Sequence, residues 1–172
     1  MQKRFGLVLG VLSAALLGAC ATSIGGPSAS ADLQARSGSA VVGKVSFSEV
    51  GGKLRVEAVV SGLTPGEHGF HIHEAGDCSA PDATSAKGHF NPAGKQHGHH
   101  ASSERHGGDM VNLVANAAGE ARYSADIEGL TLGGPNGVLG RSVVIHADPD
   151  DYKSQPAGNS GKRVACGVIV GR

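Results

Sequence analysis

Nine histidines are the residues of this 172-residue chain best suited to chemistry. The chain has only four Phe, two Tyr and no Trp, so nothing about its packing calls for so many imidazoles. Imidazole nitrogen is a common ligand of copper and zinc, and the pattern therefore predicts metal binding. The histidines are His68, His71, His73, His89, His97, His99, His100, His106 and His146.

One group of these histidines belongs to predicted strands. His71 and His73 flank Ile72, and side chains two apart on a strand share a face, so both rings point one way while Ile72 points into the core. His146 ends the apolar run 143–145 and can add a third nitrogen from a neighbouring strand. Copper(II) prefers a tetragonal arrangement of nitrogens, which such a group can supply.

A second group lies in a loop and is formed by His89, His97, His106 and Asp109, at intervals of 8, 9 and 3 residues. Three nitrogens and one carboxylate make the closed tetrahedral set of a structural zinc site. A bound metal would also order a loop that has no core of its own. The alternative is a solvated histidine-rich tract that binds metal loosely.

The elements that must position these side chains are strands. Short segments with alternating or continuous apolar residues are rich in β-branched side chains, and Gly51-Gly52 separates two of them as a hairpin turn. No segment after residue 40 keeps a helical period over three turns. The fold class is therefore all-β, a sandwich or flattened barrel. The predicted strands are 40–50, 53–61, 66–73, 111–115, 120–127, 141–146 and 163–170.

Two long segments fit no strand. Residues 74–109 and 147–162 are rich in Gly, Ser, Asp and Pro, and the first also holds most of the histidines. Loops of this length inside a compact domain are usually functional or disordered. Because they carry most of the polar chemistry, we interpret both as functional loops.

The N-terminus has the pattern of an export signal. Two basic residues precede an apolar run at 5–17, which is too short to cross a bilayer, and small residues follow. This predicts a signal peptide over residues 1–19. Leu17-Gly18-Ala19-Cys20 also resembles the bacterial lipobox, in which the cysteine becomes a lipidated first residue. Ordinary cleavage near Cys20 without a lipid is the alternative.

The rest of the chain divides into a tether and one domain. Residues 20–39 comprise the lipidated Cys20 and a Gly-, Ser- and Ala-rich stretch that we expect to be flexible, and residues 40–172 form a domain of ordinary size. The formal charge is zero; loss of residues 1–19 removes two of the 15 basic residues and none of the 15 acidic ones, which leaves about −2. A weakly acidic domain without basic runs argues against a nucleic-acid partner.

With Cys20 set aside, Cys78 and Cys166 remain in a chain sent to an oxidising compartment, where pairing is the default. Such a bridge would close a loop of nearly ninety residues and contribute at most about 4–5 kcal/mol by restricting the unfolded chain. Two unpaired thiols are the alternative.

Four motifs resemble those of a known family. The segment 69–78, GFHIHEAGDC, resembles the copper-ligand signature of copper–zinc superoxide dismutases, and 158–169, GNSGKRVACGVI, resembles their second signature. Between them, 88–92, GHFNP, and 105–109, RHGGD, resemble the zinc loop. The resemblance extends from about residue 40 to the C-terminus.

This resemblance implies a Greek-key barrel of about eight antiparallel strands and an enzyme that converts superoxide to dioxygen and hydrogen peroxide. It implies one copper and one zinc per subunit, with copper as the redox centre because zinc cannot change oxidation state. His89 would bridge both metals as imidazolate and hand a proton to the nascent peroxide. The implied copper ligands are His71, His73, His89 and His146, and the implied zinc ligands are His89, His97, His106 and Asp109.

The resemblance also implies roles around the metals. Asp150 would link His71 and His97, with Asp148 and Asp151 as competing candidates, and Arg163 would dock the superoxide anion. The disulfide of the family matches Cys78 and Cys166. Lysines that could add attraction for the anion are Lys87, Lys95, Lys153 and Lys162.

Other readings remain open. We expect His68 to be a structural hydrogen-bonding residue and His99 and His100 to be solvated. The main alternative function is a non-catalytic periplasmic copper- and zinc-binding lipoprotein, and an electron-transfer copper protein would need a cysteine thiolate on copper. The expected location is the bacterial periplasm or cell envelope, with a membrane anchor through the lipid and the protein a monomer or homodimer.

Overall fold

The computed structural model describes Gln2 and residues 26–172. Apart from Gln2, the predicted signal peptide, Cys20 and residues 21–25 of the predicted tether lie outside the described residues. The described part contains ten strands and one short 3₁₀ turn, Thr84–Ala86. The strands are β1 (Ser28–Ala35), β2 (Val42–Val50), β3 (Lys53–Ser61), β4 (Gly66–His68), β5 (Phe70–His73), β6 (Leu113–Ala115), β7 (Ala121–Ile127), β8 (Ser142–His146), β9 (Arg163–Val168) and β10 (Val170–Gly171).

Alternation of apolar and polar residues explains the wall of this barrel. In β3, Leu54, Val56, Ala58 and Val60 are buried while the residues between them face outward. The hairpin between β2 and β3 pairs Val50 with Lys53 around Gly51 and Gly52. Both glycines have positive φ, which a two-residue turn matching the strand twist requires.

The sheet order is β4-β6-β7-β3-β2-β1-β9-β8-β5, with β10 paired to β1, and every strand pairing is antiparallel. β4 and β5 stand at opposite ends of this order but only Gly69 separates them in the chain, so the two edges meet and the barrel nearly closes. The connections from β3 to β4 and from β7 to β8 skip over strands, as in a Greek key. The all-β prediction is confirmed.

The prediction of a flexible tether up to residue 39 is wrong for Ser28–Ala35. This segment is β1, which pairs with β2 over its first six residues and with β9 over its last two. Its inward face is small: Ala29, Ala31 and Leu33 are buried. Neighbouring strands on both sides satisfy its backbone hydrogen bonds, so a short apolar face is enough to hold it in place.

Two loops cover the outer surface of β5 and β8. The first follows β5 and runs to β6, and the second joins β8 to β9. The core beneath them is mainly aliphatic, with Ile72, Val143 and Ile145 fully buried beside Phe70. No helix within residues 26–172 is long and apolar enough to cross a membrane.

Candidate metal centre

The alternation of β5 places two imidazoles on its outer face. Phe70 and Ile72 point into the barrel and are fully buried, while His71 and His73 point to the other side, beneath the loops. Both histidines are also buried, at 0% and 1% exposure, because the loops cover them. The strand therefore presents two rings on a rigid support.

Backbone pairing carries the first loop onto the edge of β5. His73 pairs with His89, Phe90 N donates to Ile72 O at 2.8 Å, and Ile72 N donates to Gly108 O at 3.0 Å. A Cβ at Gly108 would lie 2.2 Å from Ile72 O, so a larger residue cannot make this approach. These short pairings place His89 and Asp109 beside the strand.

A first cluster joins residues of β5, the first loop and β8. One ring nitrogen of each histidine in it lies within 4.8 Å of the others. These nitrogens are buried and have no hydrogen-bond partner among the described residues. An unpaired buried polar atom costs about 1–3 kcal/mol, so four converging on one point fit a bound cation. The atoms are His71 Nδ1, His73 Nε2, His89 Nε2 and His146 Nε2.

A second cluster lies on the other side of His89. From Asp109 Oδ1 to Nδ1 of His89, His97 and His106, the distances are 2.8, 3.0 and 3.3 Å. His106 Nδ1 lies 3.4 Å from His89 Nδ1. Zinc–ligand bonds of about 2.0–2.1 Å give a tetrahedron with edges of about 3.3–3.4 Å, so these four atoms fit around one zinc ion after a small expansion.

The two clusters share one ring. His89 contributes Nε2 to the first cluster and Nδ1 to the second, and it stacks on His71 with ring centroids 3.9 Å apart. Two cation pockets therefore lie on opposite sides of a single imidazole.

Asp150 connects the two clusters through the ring nitrogens of His71 and His97 that face away from the pockets. Its Oδ2 lies 2.8 Å from His71 Nε2, and its Oδ1 lies 2.9 Å from His97 Nε2. A proton on each Nε2 leaves the Nδ1 lone pairs free to face the pockets. Of the two competing carboxylates, Asp151 instead accepts bonds from Lys153 N and from Ser154, and Asp148 is exposed.

Burial and charge prepare the groups for cations. Burial lowers the pKa of His73 and His146 well below the usual value, and with the charge of His71 it lowers the pKa of His89 to about 4. These rings are therefore neutral ligands at neutral pH. Burial alone would raise the pKa of Asp109, but hydrogen bonds from the surrounding histidines outweigh it and hold that pKa far below the usual range.

Arg163 stands at the mouth of the first cluster. Its Nη1 donates to Ala83 O and its Nη2 to Lys87 O, both at 2.7 Å. Together with His146 and Ser160 it lines an open pocket of about 250 Å³. Burial lowers the pKa of this guanidinium, and the negative charge of Asp82 opposes that shift.

The other candidates lie around this centre. Cys78 and Cys166 form a disulfide that ties the first loop to β9, with Cα atoms 5.7 Å apart. The four lysines considered for attraction of the anion are exposed, and none of them lines the pocket formed by the described residues.

The remaining histidines stand outside both clusters. His68 is buried, with its ring nitrogens 2.8 Å from His146 O and Thr64 O, which is a structural role. His99 is exposed and accepts a bond from Ala101 N, and His100 is partly buried.

Two supporting residues escape sequence reasoning. Gln155 holds the backbone of His97 with both ends of its amide: Oε1 accepts from His97 N and Nε2 donates to His97 O, each at 2.9 Å. Arg36, which follows β1, donates to Cys78 O. Each acts on a residue more than forty positions away, and neither forms part of a local motif.

Comparison with known proteins identifies relatives over most of the chain. The family model described as copper/zinc superoxide dismutase matches residues 41–169. A protein of Deinococcus radiodurans named superoxide dismutase [Cu-Zn] is 46% identical over 165 residues, which cover 89% of each chain. Superoxide dismutase [Cu-Zn] 2 of Aquifex aeolicus is 45% identical over 135 residues, covering 75% of this chain and 79% of the relative.

A solved structure agrees with these relatives. The crystal structure titled as that of the clock protein EA4 superposes with a TM-score of 0.77 and 41% identity, over 83% of this chain and 93% of the other.

Proposed function

Because this chain belongs to the copper/zinc superoxide dismutase family, we propose that its two clusters are the copper and zinc sites of a superoxide dismutase. The observation that carries the assignment is the imidazole of His89, whose two nitrogens face two separate groups of buried donor atoms. The first cluster, with four nitrogens, suits copper, and the second, with three nitrogens and a carboxylate, suits zinc.

When bound, copper supplies the one-electron redox chemistry by which one superoxide is oxidised and a second is reduced, and zinc supplies a fixed charge without redox chemistry. The chain supplies the donor atoms and their shielding from water. His73 Nδ1 lies 2.9 Å from Lys87 O, so a proton on Nδ1 leaves Nε2 free to be a ligand. His71 is arranged in the opposite sense, with Nε2 on Asp150 and Nδ1 free.

Arg163 is the residue that docks superoxide. Two of its five N–H donors are held by backbone carbonyls, so its fork is fixed at the pocket beside His146 while donors remain for the anion. The domain as a whole is slightly acidic, and a local positive group at the mouth is therefore what attracts the substrate.

His89 is the residue that handles a proton. Its Nδ1 stays in the second cluster, beside Asp109, while Nε2 has no partner among the described residues. The ring can therefore carry a proton on Nε2 without leaving its place and deliver that proton to the reduced product.

We propose that the enzyme works in the bacterial cell envelope, anchored through a lipid on Cys20. This rests on the signal-like N-terminus and the lipobox-like Leu17–Cys20. Since β1 begins at Ser28, seven residues, 21–27, would separate the lipid from the domain. Seven residues reach at most roughly 25 Å even when fully extended, which would keep the domain close to the membrane.

Metal content and superoxide consumption of the purified mature protein, measured together, test this function. We expect one copper and one zinc per chain and rapid consumption of superoxide. This activity should be absent when copper alone is withheld. Full metal loading without turnover would instead favour a non-catalytic metal-binding lipoprotein. That alternative gives no reason for an arginine at the pocket or a shared imidazole.

A further inference from the structure

The segment Cys78–Lys87, here called the disulfide loop, determines where Arg163 points. The loop contains both carbonyls that hold the guanidinium, those of Ala83 and Lys87. Its Ala83 and Ala86 are fully buried against Val144 and the disulfide, while its outer residues are exposed. Any displacement of this loop therefore moves the two acceptors that fix Arg163.

Arg36 holds the same loop from its other end. Its Nε and Nη2 donate to Cys78 O at 2.9 and 2.7 Å, and its Nη1 donates to Ala35 O at 2.7 Å. The next residue, Ser37, donates its N–H to Pro81 O at 2.8 Å. Arg36 and Ser37, which follow β1, thus make three hydrogen bonds to the first part of the disulfide loop, two of them charge-assisted.

Arg36 is connected to the proposed docking residue Arg163 by two routes, one through the backbone and one through the disulfide loop. Arg36 N donates to Val164 O at 2.9 Å, and Val164 is the residue that follows Arg163 in β9. The backbone of Arg36 is therefore hydrogen-bonded to the neighbour of Arg163. From there the path runs through the loop: the Arg36 side chain binds Cys78 O, and the Arg163 side chain binds Ala83 O and Lys87 O. Arg36, which follows β1, and Arg163, which begins β9, therefore both donate hydrogen bonds to the disulfide loop.

The disulfide alone does not provide this orientation. It ties the side chain of Cys78 to Cys166 and does not itself hold the peptide that follows Cys78. The N–H of that peptide, on Ser79, donates to Asp77 Oδ1, and its carbonyl oxygen accepts from Arg36. Arg36 fixes the carbonyl with a planar fork. Arg36 precedes residue 41, where the match to the family model begins, whereas Cys78 lies inside that match.

We propose that Arg36 is a positioning residue for the docking of superoxide: it fixes the disulfide loop so that the carbonyls of Ala83 and Lys87 hold Arg163 at the pocket. The proposal rests on the proposed role of Arg163. If Arg36 has this role, the residue that follows the first strand contributes to substrate docking, although the sequence of that strand contains no recognisable functional motif.

The test compares Arg36→Gln, Arg36→Lys and Arg163→Ala with the matched control Arg122→Gln, which removes the same charge from an exposed position on β7. Each protein is loaded with copper and zinc, with its disulfide intact. Two quantities are measured over a range of ionic strength: the rate constant for superoxide, and the dissociation constant of azide from copper, read by visible absorption. Melting temperature reports folding.

We expect Arg36→Gln to weaken azide binding and slow turnover by about 3- to 10-fold, and Arg122→Gln to change neither by more than about twofold. Arg36→Lys keeps the charge but lacks the planar fork, so we expect it to remain impaired. If Arg36→Lys behaves as the parent protein, charge alone is responsible and the proposal is overturned; if Arg36→Gln does not fold, Arg36→Lys decides the question in the same way.

A double variant separates positioning from a general loss of structure. If Arg36 acts through Arg163, then Arg36→Gln adds nothing to the defect of Arg163→Ala, whereas additive losses would refute the proposal. If Arg163→Ala itself leaves azide binding and turnover unchanged, the docking role of Arg163 fails. If Arg163→Ala is impaired and Arg36→Gln is not, only the inference about Arg36 fails.

Discussion

At the scale of single residues, each metal-facing nitrogen is prepared by what lies on the other side of its ring. Lys87 O orients His73, and Asp150 orients both His71 and His97. Without those partners the rings could turn or change tautomer, and the nitrogens would no longer converge. The supports therefore matter almost as much as the ligands.

Replacement of Arg163 by alanine tests the docking role. A charge-assisted hydrogen bond is worth about 1.5–3 kcal/mol, so the rate constant for superoxide should fall about 10- to 100-fold at low ionic strength while copper content is unchanged. Pulse radiolysis with metal analysis checks both quantities. Arg122→Ala, at an exposed position on β7, is the matched control, and a rate equal to that of this control would rule out docking by Arg163.

Asp150→Asn tests the link between the two clusters. The substitution keeps the shape but replaces one carboxylate oxygen with a donor, so one of His71 and His97 loses its acceptor. Zinc affinity should fall about 10- to 100-fold, as measured by competition with a chromogenic chelator. Asp151→Asn is the matched control, because its carboxylate bonds only nearby loop residues; an equal loss there would contradict the assignment.

At the scale of elements, β1 is the least expected part of the wall. It lies between β2 and β9, also pairs with β10, and is followed by Arg36 beside the disulfide loop. The C-terminus secures its beginning, since Arg172 N donates to Ser28 O at 2.9 Å. A segment whose composition is typical of a linker is therefore bound to the C-terminal residues at its beginning and to β9 at its end.

A pair of alanine substitutions tests β1. Leu33 is 1% exposed, so Leu33→Ala should lower the free energy of unfolding by about 2–5 kcal/mol. Its exposed neighbour is the control, and Gln34→Ala should change that free energy by less than about 0.5 kcal/mol. Denaturant unfolding gives both values. If Leu33→Ala were as neutral as Gln34→Ala, the segment would be a tether after all.

At the scale of the whole molecule, the barrel carries the site on its outside and the loops enclose it. The donor atoms come from positions 71 to 146 and meet only because β5 pairs with β8 and the first loop pairs with β5. Bound metals would therefore connect the barrel to its loops, and their removal would leave buried donors without partners.

Metal removal should lower thermal stability. Ligands present at about a thousand times their dissociation constant add about 4 kcal/mol, which for a domain of this size corresponds to a fall in melting temperature of about 10 °C on chelation. Calorimetry before and after chelation measures it, and zinc but not magnesium should restore part of the loss. An unchanged melting temperature would show that the second cluster does not order the loop.

Acidification should destabilise the metal-free protein. The buried cluster rings have pKa values lowered by burial, whereas in the unfolded chain they take up protons near pH 6.5. The unfolded state then binds more protons, so the free energy of unfolding falls as pH drops below about 6.5, by at most about 1.4 kcal/mol per pH unit for each ring. The rings are His71, His73, His89 and His146.

Urea unfolding at pH 7.5 and 5.5 measures this dependence. His146→Gln removes one of the four rings and should make this dependence on pH shallower. The pKa of His97 is raised to about 9, so its stabilising contribution is complete only below about pH 6.5. Between pH 7.5 and 6.5 it grows on acidification and offsets at most about one of the four rings. Equal stability at the two pH values would contradict burial of neutral rings.

The sequence by itself determined the strands that alternate in period two, the two long loops, the second cluster and three rings of the first, whereas His89 entered the first cluster only through the resemblance to a known family. Periodicity and motifs are local features of the sequence. Once His71-Ile72-His73 lies on a strand, the two histidine rings must share one face and Ile72 must point to the other. Only the tertiary structure decided that Ser28–Ala35 is a strand, that one ring separates two pockets, and that Arg36 and Gln155 hold distant backbone. These facts depend on pairing between segments far apart in the chain, which no local pattern encodes.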